Sequence, residues 1–372
     1  MLRKFIILIS IITLSSGSVP GMNEENKKVE RIKRDLKIME VVLDELLKGL
    51  EQDYFRKIHK TKGFYLEDYG VIFTVPIYEP SHIKYSISYK KEKKSYTMKG
   101  GKEGMEKLDK LKEKLAEFFG SYADAINYLD PENRITVYIY ESYSEEPILI
   151  ATAWKKDIID FRTGRINREK FKSSIKYQPL LDETDLESQI NIMANIIDTA
   201  LKRKSEANLL SPEGSVKGMF LEKFGALFVM HTTPGSDLTI SVKNLDRYLK
   251  TFEMQMKKLK NFEITLEGKR TIEERYDETL DKKEELLKEY QENLEKFKST
   301  LIELLGSYGP TLRRLNDNKW IAVIANLKDL TELDLPDQKY IVLKVRKKDV
   351  DEYNREKISY KDFVKRINYT EY

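Results

Sequence analysis

The chain has 372 residues, 40% hydrophobic and 10% aromatic, enough to bury one large core or two ordinary ones and too many for a disordered chain. Its 66 basic and 62 acidic side chains leave a formal charge of only +4, which gives no reason to expect a nucleic acid as partner. The absence of cysteine excludes disulfides, thiolate metal sites, a cysteine nucleophile and a lipid-modified cysteine.

Residues 1–18 have the pattern of a secretory signal peptide: Arg3 and Lys4, an apolar run from Phe5 to Leu14, then small residues from Ser15 to Ser18. The run falls well short of the roughly 20 residues that a membrane-spanning helix needs. The expectation is cleavage after Gly17 or Ser18 and export to a periplasmic or extracellular location, with an uncleaved anchor as the alternative. No other run is apolar enough for a membrane span.

Beyond it, Val29, Ile32, Leu36, Met39, Leu43, Leu46 and Leu50 fall at steps of three and four. They predict one helix with a continuous apolar seam that a partner helix must cover. Gly63 to Val75, GFYLEDYGVIFTV, then reads as a tight β-hairpin closed by Gly70. A second copy, GMFLEKFGALFVM, runs from Gly218 to Met230, so the chain is an internal duplication. Before it, Leu186, Ile190, Met193, Ile197 and Leu201 predict a matching helix. The second hairpin strands, Val71 to Val75 and Ala226 to Met230, are apolar at nearly every position, as central strands are.

Ile83, Tyr85, Ile87 and Tyr89 alternate with polar residues and predict a half-exposed strand, a pattern that Leu238, Ile240 and Val242 repeat. A long charged helix follows in each copy, where Leu108, Leu111, Leu115 and Phe118 align at one constant offset with Leu294, Phe297, Leu301 and Leu304. The second copy is longer by a mostly helical insertion around residues 246–285. Gly120-Ser121-Tyr122 and Gly306-Ser307-Tyr308 then read as a glycine ending one helix and a serine capping the next, with Asp124 as acidic partner. Strands from Ile135, Ile148, Ile321 and Tyr340 follow. Each copy closes on two short helices, Lys155-Lys156-Asp157 aligning with Lys347-Lys348-Asp349, with a break near Gly164 in the first.

The expected fold class is α+β. Each copy is a small, mostly antiparallel sheet of a β-hairpin plus two to three strands, packed with long amphipathic helices and a C-terminal helical pair. The helix between hairpin and later strands permits one parallel neighbour. The first repeat spans 24–178 and the second 186–372.

Few residues invite chemistry. Glu67 and Glu222, the shared acid of the hairpin turn, are acid–base candidates if the copies share a site, although a solvated turn residue is the plainer reading. Ser121 and Ser307 lack the nucleophile elbow that exposes a catalytic serine. His59, His82 and His231 are too scattered for a metal pair, and no metal or cofactor is expected. The basic run Lys90 to Lys94 is absent from the second copy and reads as a solvated hairpin tip. Strand tyrosines such as Tyr65, Tyr85, Tyr89, Tyr138 and Tyr140 could form a sugar or peptide platform, but half-buried sheet positions explain them. Asn368-Tyr369-Thr370 fits the glycosylation triplet, which also arises by chance.

These features point to an exported, non-enzymatic binding or envelope-scaffold protein with a protein or envelope component as partner. The helical seams are also a surface for self-association. An exported hydrolase with a site between the copies is the alternative.

Overall fold

The structure, a computed structural model, describes residues 24–50, 57–58, 60–78, 101–141, 147–178, 185–204, 210–234, 236–259, 266–327 and 340–371. The chain divides into two compact units, Met1–Leu181 and Asp182–Tyr372. Both are α+β, and both carry the same duplicated module.

In the first unit, α1 (Glu24–Lys48) leads into β1 (Lys57–Ile58), β2 (Lys62–Leu66) and β3 (Gly70–Tyr78). Next come α2 (Gly101–Ser121), β4 (Arg134–Glu141), β5 (Pro147–Trp154), α3 (Lys155–Arg162), α4 (Arg168–Ser174) and β6 (Lys176–Gln178). The strand order is β1-β3-β4-β5-β6, with β2 also on β3. Strands β3 and β4 run parallel and the remaining pairs antiparallel. The parallel pair follows from α2, since a helical crossover returns the chain in the same direction.

The second unit repeats the plan. It comprises α5 (Asp185–Lys204), β7 (Leu210–Leu221), β8 (Gly225–Pro234), α6 (Ser236–Leu259), α7 (Leu266–Tyr308), β9 (Trp320–Leu327) and β10 (Tyr340–Arg346). It ends with α8 (Lys347–Asn354), α9 (Tyr360–Lys365) and β11 (Asn368–Glu371). The order is β11-β10-β9-β8-β7, again with one parallel pair, β8 and β9.

The core of the first unit joins Ile32, Leu36, Met39 and Leu43 of α1 and Leu111, Leu115 and Phe118 of α2 to alternate residues of β3 and β4. Each buried Leu, Ile or Phe side chain contributes about 1.5–3 kcal/mol. The seam of α1 is therefore covered by the sheet as well as by α2, not by a helix alone as the sequence implied. Two carboxylates of α1 also meet the strand region: Glu40 Oε1 accepts from Gly63 N at 2.7 Å and Asp44 Oδ1 from Thr61 N at 2.8 Å. The shared glycine has a packing reason. A Cβ on Gly63 would stand 2.8 Å from the Phe73 ring, and one on Gly218 2.6 Å from Ile190 Cγ2 of α5.

Three sequence readings need correction. Leu238, Ile240 and Val242 lie in α6 and not in a strand. Three alternating apolar residues fit either period, and the longer spacing Val242, Leu245, Leu249, Phe252 and Met256, at steps of three and four, decides for a helix. Their first-copy counterparts Ile83 to Tyr89, the basic run Lys90 to Lys94, and His59 and His82 lie outside the described residues.

Ser121 and Ser307 cap nothing: α2 and α7 run through both Gly-Ser pairs, and the 3₁₀ turns that follow have Tyr122 and Tyr308 at the N-cap with no side-chain bond. The glycines serve packing instead. A Cβ on Gly120 would lie 3.0 Å from Phe161 and 3.1 Å from Phe171, which stack at 4.6 Å. Gly306 faces the stack of Tyr353 and Phe363 in the same way, at 2.8 and 3.0 Å. Asp124 accepts from Arg162 Nε at 3.0 Å.

The third difference is a short strand that the sequence did not reveal. After the helical pair, β6 joins β5 and β11 joins β10, both antiparallel. Lys298 of α7 pairs with Glu371 at the end of β11.

Candidate functional site

Glu67 and Glu222, the acids that the sequence singles out, stand on two matching hairpin turns. Each turn closes with a backbone bond, Tyr69 N to Leu66 O at 3.0 Å and Phe224 N to Leu221 O at 3.1 Å. Asp68 and Lys223 both take φ of 67°, the left-handed region that side chains adopt at a cost. Gly70 and Gly225 follow at φ of 127° and 144°. A Cβ on either would stand 2.1 or 2.0 Å from the carbonyl oxygen of Arg134 or Trp320, so only glycine lets the turn meet the neighbouring strand.

Glu67 and Glu222 sit exposed at these turns, each in its own unit. Among the described residues no group of three or more His, Asp and Glu side chains could hold a metal ion. His231 lies beside Asn326, its Nδ1 2.9 Å from Asn326 Nδ2.

Beneath the first turn the chemistry is richer. Tyr69 is buried, with its hydroxyl 2.6 Å from Thr136 Oγ1, which lies 2.9 Å from Thr152 Oγ1. This buried hydroxyl chain crosses from the turn over β4 to β5. Beside it the Arg134 guanidinium stacks over Trp154 at 4.0 Å and faces Tyr69 at 5.6 Å. The second unit places Phe224, Ala322 and Lys344 where the first has Tyr69, Thr136 and Thr152. There Arg346 stacks over Trp320 at 3.6 Å, with Lys344 Nζ 5.0 Å from the same ring. Arg134 pairs across strands with Trp154, and Arg346 with Trp320. The cation and the ring have exchanged strands between the copies, a relation the sequence reading missed because it compared copies along the chain and not across strand pairs.

Lys155 starts α3 and is 3% exposed. Its Nζ donates to Asp124 O at 2.7 Å and Ala123 O at 3.4 Å. Burial lowers its pKa to about 8, against the opposing pull of the Asp124 and Asp35 carboxylates. A lysine so shifted could act as a base, but this one is committed to carbonyls of the 3₁₀ turn and closed to solvent. Its counterpart Lys347 instead binds both carboxylate oxygens of Asp351, at 2.6 and 2.5 Å. Glu40 is also pushed above the usual carboxylate range, by burial against the lowering effect of its bond from Gly63 N.

Tyr138 and Tyr140 are buried and stack on each other at 5.6 Å, so they form no open platform. Tyr65 is half-buried, while Tyr85 and Tyr89 lie outside the described residues. Asn368 is exposed on β11.

The second unit adds a helical arm. Helices α6 and α7 are antiparallel neighbours fastened by Lys283 Nζ to Asp246 Oδ1 at 2.8 Å and by a side-chain hydrogen bond between Tyr276 and Glu253. The seven residues from Asp246 to Glu253 match the seven from Lys283 back to Tyr276, so both pairs keep one register. Only Val242, Leu249, Lys283 and Tyr290 are buried along this seam. Leu245, Phe252, Met256, Ile272, Tyr276, Leu280 and Leu287 are half-exposed, and Tyr248 and Met254 are 57% and 56% exposed. No helix among the described residues is long and apolar enough to cross a membrane.

No protein-family model matches the chain, and no curated protein matches it. Among solved structures, the crystal structure of Sex pheromone staph-cAM373 precursor is similar over 83% of this chain and 78% of that chain, at 12% identity and a TM-score of 0.20.

Proposed function

We propose that this is an exported, non-enzymatic binding or envelope-scaffold protein whose partner-facing part is the α6–α7 arm. The observation that supports this reading is the half-exposed apolar seam of the arm, with Tyr248 in solvent on its flank. An aromatic side chain exposed beside a partly open apolar seam is a common basis of protein recognition. Export rests on the pattern of residues 1–18.

The test of binding is a pull-down from envelope extract with the full chain and with a variant in which a short loop replaces residues 246–285. Loss of the captured component on deletion, with the rest of the chain still folded, is the expected result; undiminished capture removes the arm from the function. The mass of the protein recovered outside the cytoplasm tests export, with cleavage after Gly17 or Ser18 expected.

A further inference from the structure

We infer that the α6–α7 arm pairs with the arm of a second copy of this chain, giving a twofold-related four-helix bundle; this deepens the binding reading above and rests on it for the arm as a recognition surface. Three observations lead there. The first is periodicity. Val242, Leu245, Leu249, Phe252 and Met256 on α6, and Tyr276, Leu280, Lys283, Leu287 and Tyr290 on α7, keep alternating steps of three and four. That spacing is a bundle seam, and a lone pair of helices leaves much of it half-exposed. Adding a second pair buries the flanks that solvent now reaches.

The second observation is charge. Helix α6 carries Lys243, Arg247, Lys250 and Lys257 against Asp246 and Glu253, and is net basic. From Arg270 to Glu289, α7 has eight acidic side chains against five basic ones, and is net acidic. A twofold axis brings the basic helix of one arm to the acidic helix of the other, and does so twice. A surface that holds both halves of the complement on one chain is suited to an isologous contact.

The third is the Asp246–Lys283 pair. It places a charge in a seam position, where an unpaired lysine would oppose burial, and neutralises it within the chain at 2.8 Å. With that pair closed, the Lys283 charge is neutralised where the seam enters a bundle core, and the pair fixes the register of each arm.

Sedimentation equilibrium of the full chain over about 1–100 µM tests the pairing, a range that brackets micromolar dissociation constants. A monomer–dimer equilibrium is expected, weakened at least about tenfold by Phe252→Glu with Leu280→Glu, which place charges in the seam. Tyr369→Glu on β11 is expected to leave it unchanged. Far-UV circular dichroism checks that the variants remain folded. Because the chain lacks cysteine, Tyr248→Cys also takes a single spin label, and a dipolar distance between labels is expected in the dimer.

A monomer across the range overturns the inference, as does a dimer indifferent to the paired glutamates. Outcomes for the two proposals separate. A monomeric chain that captures an envelope component through the arm removes the self-pairing and keeps the binding reading. A dimer held by the arm that captures nothing keeps the pairing and removes the envelope partner.

Discussion

The two hairpin turns share a backbone and differ in what lies under them. The turn backbone bonds repeat one for one: Arg134 N to Tyr69 O at 2.8 Å answers Trp320 N to Phe224 O at 2.9 Å. At the start of the helical pair, Lys155 N to Asn133 O and Lys347 N to Lys319 O are both 2.9 Å. Side chains beneath the turns were replaced in sets. Where Tyr69 became Phe224, Thr136 became Ala322, so loss of the first hydroxyl leaves none stranded at the second position. Where the arginine and tryptophan changed strands, they did so together. The buried member of the stack is Arg134 in one unit and Trp320 in the other, 8% and 9% exposed. What the copies preserve is the contact, more than the residue at either end of it.

That comparison can be broken most forcefully at what the copies share. Gly70→Ala and Gly225→Ala each drive a Cβ into a backbone carbonyl at a positive φ, and each is expected to cost about 3 kcal/mol or more in denaturant unfolding. Equal losses would support one role for both glycines, whereas a harmless substitution in either turn would show that its neighbour strand can retreat. Next in size is Phe224→Tyr, which sets a hydroxyl against Ala322 and is expected to destabilise by about 1–3 kcal/mol. Adding Ala322→Thr should recover part of the loss; the idea of replacement in sets fails if the second change makes no difference.

The exchanged stack predicts a smaller effect. Alanine substitutions of Arg134 and Trp154, singly and together, should show a coupling of about 0.5–2 kcal/mol in a double-mutant cycle, and Arg346 with Trp320 should match it. Zero coupling in one unit alone would mean that only the other copy depends on the stack. The smallest effect is a slope. Burial lowers the Lys155 pKa to about 8 from its ordinary 10.5, so between those values the unfolded chain binds more protons and stability should rise with pH. Lys155→Met should flatten that rise, measured as the denaturation midpoint across the window, and an unchanged profile would exclude Lys155 as its source.

Much of this fold is readable in the sequence, because duplication offers each signal twice. The paired glycines, the seams and the parallel neighbour of the hairpin all rest on spacings longer than one turn of helix. The failures were local. Leu238 to Val242 is too short to separate two periods, and Gly120-Ser121 looks like a helix end because the aromatic stack that requires its glycine lies about forty residues away. Strands β6 and β11, of 3 and 4 residues, are too short to carry a period at all. Of the candidate site, the exposure of Glu67 and Glu222 was legible from the polar turn. The stack beneath was not, since it joins residues related only by strand register.

The carboxylates of Glu40 and Asp44 have a consequence for how the protein meets its own kind. Among the described residues strand β2 pairs with β3 alone, and a bare strand edge invites another chain to add itself to the sheet. Here the outward amides of Thr61 and Gly63 are already occupied by side chains of α1. A helix stands in for the missing strand, so these amides are closed to strand addition and fibre-like growth there would first have to displace α1.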